Sequence, residues 1–288
     1  MKCYNNKFKQ SYLPLIFFLL LLSFLSSCSL LKKSDRALTK KFKTKGIDLK
    51  FDDYLTTQGN IHYASVGAID LPTLVFIHGS PGGWNEFKKY LCDSLLLSKF
   101  RIISIDRPGF GASEYYSALH LQQQADAVNG LLNKIKNTKP MYLIGHSYGG
   151  PLVTLLAADH PEMVSAIVIL AGAIDPTLEP KEKWRKLLLS YPIKSKLSSN
   201  MQQSNAELWY LKTDLIILKE KLPLISCPVY VLHAENDMLV NFKNVDYIKT
   251  KFTNAQVNIM TFKKGNHFIP TNKRKEIVKL LFTFKLTN

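Results

Sequence analysis

At 288 residues the chain is long enough for one large core and too short for more than two small ones. Hydrophobic residues at 46% and charged residues at 21% exclude a globally disordered chain, and Gly and Pro are too sparse for a fibrous or low-complexity protein. The formal charge of +16 is large, but its lysines are scattered, densest over residues 32–50 and 181–196, and form no aromatic-interleaved stripe of the kind that binds nucleic acid. The basic balance fits solubility or attraction to an anionic membrane surface, and no nucleic-acid partner is expected.

The N-terminus reads as an address. Lys2, Lys7 and Lys9 form a positive segment without an acid, and residues 13–25 are almost wholly apolar. That run has the length of a signal-peptide core and is short for a bilayer span. It ends in Leu25-Ser26-Ser27-Cys28, which resembles the lipobox of bacterial lipoproteins. The resemblance implies a signal peptide over residues 1–27, acylation at Cys28 and a lipidated tether over residues 28–48. The protein would then be a membrane-anchored lipoprotein of the bacterial cell envelope. Removal of three lysines and no acid would take the charge from +16 to +13. Beyond Cys3 and Cys28 only Cys92 and Cys227 remain, too few for a disulfide framework, and no Cys/His spacing predicts a metal site.

A single domain is expected over residues 49–288. Its first strands are predicted at residues 49–56 and 60–66, as an antiparallel start. Residues 74–77, Leu-Val-Phe-Ile, form a continuous apolar run of the kind found in strands buried on both faces. His78-Gly79-Ser80-Pro81-Gly82-Gly83-Trp84 follows it. The backbone N–H of Ser80 is a candidate oxyanion donor, although taken alone this loop reads better as a structural Gly/Pro turn. After the next strand, residues 102–105, comes Asp106-Arg107-Pro108-Gly109-Phe110-Gly111. It lacks the third glycine of a dinucleotide loop, Glu114 standing in that place, and Asp106 is expected to brace the oxyanion loop by hydrogen bonds.

A helix is predicted over residues 119–136 and a strand over 142–144. Between that strand and a helix at 151–160 lies Gly145-His146-Ser147-Tyr148-Gly149. In a G-x-S-x-G elbow the serine sits on a strained strand-to-helix turn, and its flanking glycines are needed because a Cβ would strike the adjoining elements. Strands at 166–170, 229–232 and 257–262 continue the buried series, with helices at 242–252 and 273–284. Residues 176–223 carry no strand signal and are expected to form a mostly helical lid insertion. The predicted fold class is α/β, a mostly parallel eight-stranded sheet with helices on both faces.

A serine hydroxyl needs a base to become a nucleophile. His267 stands beyond the last strand, and Asp237 beyond the strand before it. Ser147, Asp237 and His267 therefore follow the chain order described for α/β-hydrolases, each past the C-terminal end of a strand. Glu235 and Asp175 are the competing acids. Taken together, HGSPGGW, DRPGFGAS, GHSYGG, END and GNHF resemble the α/β-hydrolase superfamily, in the branch of epoxide-hydrolase-like and haloperoxidase-like sequences. Epoxide hydrolases and haloalkane dehalogenases of that branch carry an aspartate nucleophile, whereas Ser147 stands here. The resemblance thus implies hydrolysis of an ester, thioester, amide or carbon–carbon bond through an acyl-enzyme. The oxyanion would be held by the N–H groups of Ser80 and Tyr148, a small acyl compound would be the substrate, and no cofactor is implied. An N-terminal-residue peptidase of the same fold, with Glu179, Glu182 or Glu207 holding the substrate amine, and a non-catalytic binding lipoprotein are the alternatives.

Overall fold

The computed structural model describes residues 35–115, 120–180 and 182–287. The signal peptide expected over residues 1–27 and the acylation expected at Cys28 lie outside the described residues. The chain divides after Gly46. The described part of the first unit is helix α1 (Asp35–Lys43), within the stretch expected as a tether. Asp35 opens it and Lys40, Lys41 and Lys43 close it, so the charges complement the helix dipole at both ends.

The second unit, Ile47–Asn288, is built on one eight-stranded sheet. Its strands are β1 (Lys50–Thr56), β2 (Gly59–Val66), β3 (Thr73–Ile77), β4 (Arg101–Ile105), β5 (Met141–His146), β6 (Ala166–Leu170), β7 (Val229–Ala234) and β8 (Val257–Phe262), in the order β1-β2-β4-β3-β5-β6-β7-β8. β1 and β2 form the antiparallel start, β2 meets β4 antiparallel, and all later pairings are parallel. This is the α/β-hydrolase fold.

The continuous apolar runs become the middle of the sheet: β3, β5 and β6 are buried along their whole length. β8 departs from the expected pattern. It is the edge strand, and Ile259 and Met260 are 39% and 38% exposed. With a neighbour on one side only, an apolar run there is left partly in water.

The helices are α2 (Ser94–Leu97), α3 (Leu121–Ile135), α4 (Gly149–Asp159), α5 (Arg185–Leu188), α6 (Ser199–Lys219), α7 (Asn244–Lys251), α8 (Ile269–Asn272) and α9 (Arg274–Phe282). α4 is buried on nearly every side, which suits its Gly-Gly-Pro-Leu-Val-Thr-Leu-Leu-Ala-Ala sequence. α5 and α6 lie in the insertion between β6 and β7. α6 has a split character. Its C-terminal half buries Leu211, Leu215 and Leu218, while its N-terminal half buries Gln203, Ser204, Asn205 and Glu207. Asp214 anchors it to the rest of the domain, accepting from the Leu121 N–H at 3.0 Å and pairing with His120 Nδ1 at 2.8 Å. This places a carboxylate at the N-terminus of α3, where unpaired N–H groups and the helix dipole favour it. Lys221 adds an ion pair to Asp159 at 2.7 Å. Among the described residues no helix is long and apolar enough to cross a membrane.

Candidate active site

The parallel strands deliver the candidate residues to one end of the sheet. Ser80 stands three residues past β3, Ser147 directly past β5, Asp237 three past β7 and His267 five past β8. Parallel sheets form their sites beyond these carboxyl ends, where loops are free to vary over a fixed scaffold.

Ser147 has φ +51°, in the left-handed region that costs a side-chain-bearing residue energy. The turn is held by its own backbone: Ser147 N–H donates to Leu170 O and Gly150 N–H to Ser147 O, both at 2.9 Å. The glycines have steric reasons. A Cβ on Gly145 would stand 2.1 Å from Gly149 O, and one on Gly149 would stand 2.3 Å from Ile77 O. A Cβ on Gly79 would come within 2.9 Å of Ser147 Cβ, so the loop after β3 lies directly against the elbow. Ser147 and Ser80 are both partly open to solvent, and Tyr148, the N-cap of α4, is buried.

His267 is buried, and its Nδ1 lies 2.9 Å from Asp237 Oδ2. The Asp237 carboxylate is wholly enclosed. Its Oδ1 accepts the N–H groups of Leu239 at 2.8 Å and Val240 at 3.0 Å. His233 Nε2 lies 3.4 Å from Oδ2 and also contacts Val240 O at 3.1 Å. Burial works against the charge on Asp237, but the hydrogen bonds from His233, His267 and Val240 outweigh it and hold the acid well below the usual carboxylate range. Burial moves His267 the other way, below an ordinary histidine. The positive charge of His146 adds to that, and the Asp237 bond only partly opposes it. An acid kept ionised beside a histidine kept neutral is the arrangement a general base requires.

Of the competing acids, one is engaged elsewhere and the other lies in solvent. Asp175 Oδ1 accepts from Thr177 N–H and Oγ1, each at 2.8 Å, capping its own turn. Glu235 is exposed. Asp106 binds the Trp84 N–H at 2.7 Å and the Ala112 N–H at 2.9 Å, bridging the loops after β3 and β4 in the bracing role expected of it.

Sequence reasoning gave no role to a second histidine pair. His146, inside the elbow, points away from Ser147. Its Nδ1 lies 2.5 Å from Glu86 Oε1 and its Nε2 donates to His267 O at 2.9 Å, with the two imidazole rings 4.8 Å apart. Burial opposes its charge, but the Glu86 carboxylate outweighs that and raises His146 above the ordinary value. Nothing in the spacing of Glu86, His146 and His267 foretells this contact. Among the described residues no group of three or more His, Cys, Asp or Glu side chains is arranged to hold a metal ion. Cys92 and Cys227 are both free, and burial pushes the Cys227 thiol up to about 11.

Known proteins sharpen the class. The family described as alpha/beta hydrolase fold matches residues 72–193, which include the loop after β3 and the elbow. A 2-hydroxy-6-oxononadienedioate/2-hydroxy-6-oxononatrienedioate hydrolase from Pseudomonas sp is 32% identical over 47% of this chain and 47% of its own length. Epoxide hydrolase 4 of Mus musculus is 26% identical over 38% of this chain and 30% of its own. The matches thus span less than half the length of these curated relatives. Among solved structures, a haloalkane dehalogenase from Agrobacterium tumefaciens C58 superposes with a TM-score of 0.67 at 16% identity, covering 81% of this chain and 95% of its own. A bacterial membrane phospholipase A superposes with a TM-score of 0.61 at 19% identity, covering 93% and 96%.

Proposed function

We propose that the protein is a serine hydrolase that cleaves an ester, thioester or amide through an acyl-enzyme, with Ser147 as nucleophile, His267 as base and Asp237 as the acid that orients it. The observation that carries this reading is the enclosed Asp237 at 2.9 Å from His267 Nδ1, past the ends of β7 and β8, with Ser147 held at φ +51° directly past β5 of the same sheet. In this mechanism His267 Nε2 takes the Ser147 proton as the hydroxyl attacks the acyl carbon. The tetrahedral oxyanion is bound by the N–H groups of Ser80 and Tyr148. His267 then passes the proton to the leaving group, and water enters by the same route to release the acid. Acyl transfer of this kind calls on no cofactor. Met238, Leu239 and Phe268, immediately beside the acid and the base in sequence, are exposed and apolar, which favours an acyl substrate with an apolar chain.

The peptidase alternative needs a free carboxylate in the insertion. Glu207 is fully buried and paired bidentately with Arg107, and Glu182 is bound by Arg185. Glu179 is raised to about 7, chiefly by burial, and is a poor counter-ion for an amine. The ester or thioester reading is therefore preferred. As to location, the Leu25-Ser26-Ser27-Cys28 signature supports a lipoprotein acylated at Cys28 and held on a bacterial envelope membrane. Labelling with a fluorophosphonate probe tests the chemistry: covalent modification at Ser147 supports it, and an unmodified Ser147 in folded protein removes it. A non-catalytic binding protein would give the second result.

A further inference from the structure

The oxyanion loop is fastened from behind by a guanidinium that the mechanism above does not use. Arg107, two residues past β4, is fully buried. Its Nη2 donates to Gly79 O at 2.9 Å and its Nε to His78 O at 3.0 Å. His78 Nε2 accepts the Arg107 N–H at 2.9 Å, which leaves the proton on Nδ1, 2.7 Å from the same Gly79 oxygen. That oxygen belongs to the peptide group whose N–H is the Ser80 donor. Two donors thus converge on the far side of the bond expected to bind the oxyanion. A carbonyl held twice cannot swing away, and its polarisation strengthens the N–H across the same peptide.

The guanidinium is held in turn by the insertion. Glu207 of α6 binds Nη1 at 2.7 Å and Nη2 at 2.8 Å. Gln124 of α3 accepts from Nη1 at 2.7 Å and donates to Glu207 at 2.9 Å and to the Tyr148 hydroxyl at 3.3 Å. The guanidinium also stacks on the Tyr148 ring at 4.4 Å, so one group holds the carbonyl of the Gly79–Ser80 peptide and touches Tyr148. All five of its N–H donors are used. A second link joins the loop to α6: Ser80 Oγ donates to Ser204 Oγ at 2.8 Å. Buried ion pairs are often no more stabilising than well-packed apolar residues, so stability alone is a weak reason for this one.

We propose that Arg107 is a positioning residue for the oxyanion hole and that Glu207 couples it to the lid helix, so that the Ser80 donor is aligned only while α6 is seated. This rests on the serine-hydrolase reading. The test uses purified full chain and compares wild type with Arg107→Lys and the double variant Arg107→Met/Glu207→Leu, which removes both buried charges together. Two quantities are read: the rate constant for fluorophosphonate labelling at Ser147 and the affinity for an aryl trifluoromethyl ketone, whose tetrahedral adduct places an oxyanion in the hole. Both should fall by about 10- to 100-fold, short of the roughly 10²–10³ for losing a donor outright, while KM for p-nitrophenyl butyrate stays near wild type. Arg107→Lys keeps the charge opposite Glu207 but not the second arm, so it carries the comparison if the double variant does not fold. A folded variant with wild-type labelling and inhibitor affinity overturns the proposal alone. A wild-type protein that does not label at Ser147 overturns it together with the mechanism.

Discussion

In the proposed mechanism Ser147, Asp237 and His267 have different tasks, and their variants should separate accordingly. Ser147→Ala removes only the attacking oxygen, so hydrolysis of a p-nitrophenyl ester should vanish while the thermal midpoint stays close to wild type. Asp237→Asn keeps the shape but loses the charge that sets the His267 tautomer, and kcat should fall by about 10⁴. Asp175→Asn should leave kcat nearly unchanged, since its carboxylate caps the turn at Thr177. The reverse pattern in steady-state kinetics would move the acid to Asp175. The pH profile follows from His267. The base works when neutral, so kcat/KM should rise with pH through its titration. Because burial and the charge on His146 lower that titration, the acid limb should lie below the ordinary histidine value. Glu86→Gln removes the partner that keeps His146 charged, so the limb should move upward, toward that value. An unmoved limb would mean that the His146 charge does not reach His267.

Among the elements, the elbow and α6 of the insertion carry the sharpest demands. Gly145→Ala would set a Cβ 2.1 Å from Gly149 O, which rigid backbone on both sides cannot relieve. It should destabilise the domain by about 3 kcal/mol, read as a lowered denaturation midpoint with unchanged slope. α6 is harder to read, because its buried face changes from polar to apolar along its length. Its N-terminal half faces the Arg107 network and its C-terminal half a leucine seam, with Asp214 capping α3 in between. Asp214→Ala loses that cap and the His120 pair, and should cost about 1–2 kcal/mol in the same denaturation measurement. A variant as stable as wild type would show that α6 is held by its leucines alone.

At the scale of the whole molecule, a net charge of +16 and an N-terminal Leu25-Ser26-Ser27-Cys28 signature bear on where the protein works. One acyl chain holds a protein on a membrane only marginally, and stable anchoring needs further chains or a basic patch. Lysines near the surface of an anionic membrane add about 1 kcal/mol each. Cys28→Ser should therefore block maturation or release the protein. Replacing Lys32, Lys33, Lys40 and Lys41 should only weaken membrane binding, and the difference from wild type should shrink at high salt, which screens that attraction. Neither change should alter kcat on a soluble ester. Mass spectrometry of the N-terminal peptide decides the matter: an unmodified peptide reaching back through Cys28 to Met1 would refute lipidation.

The α/β alternation, the elbow and the chain order of Ser147, Asp237 and His267 were legible in the sequence because each rests on a local signal. A strand buried on both faces is a continuous apolar run, and a strained turn demands glycines at fixed spacing. The residues just past such strands are then marked by position alone. What tertiary structure alone decided are contacts between segments far apart. Arg107 and Glu207 stand 100 residues apart, and nothing in either segment says that the two side chains meet. Glu207 lies on a helix whose polar buried face defeats any search for apolar periodicity. His146 reads as filler in a motif until Glu86 and the His267 carbonyl close around it. The exposure of β8 was hidden for the same reason, since a run of apolar residues does not say whether a neighbour lies on both sides. Side chains state what they can bond to, and only the folded backbone determines which groups come within reach.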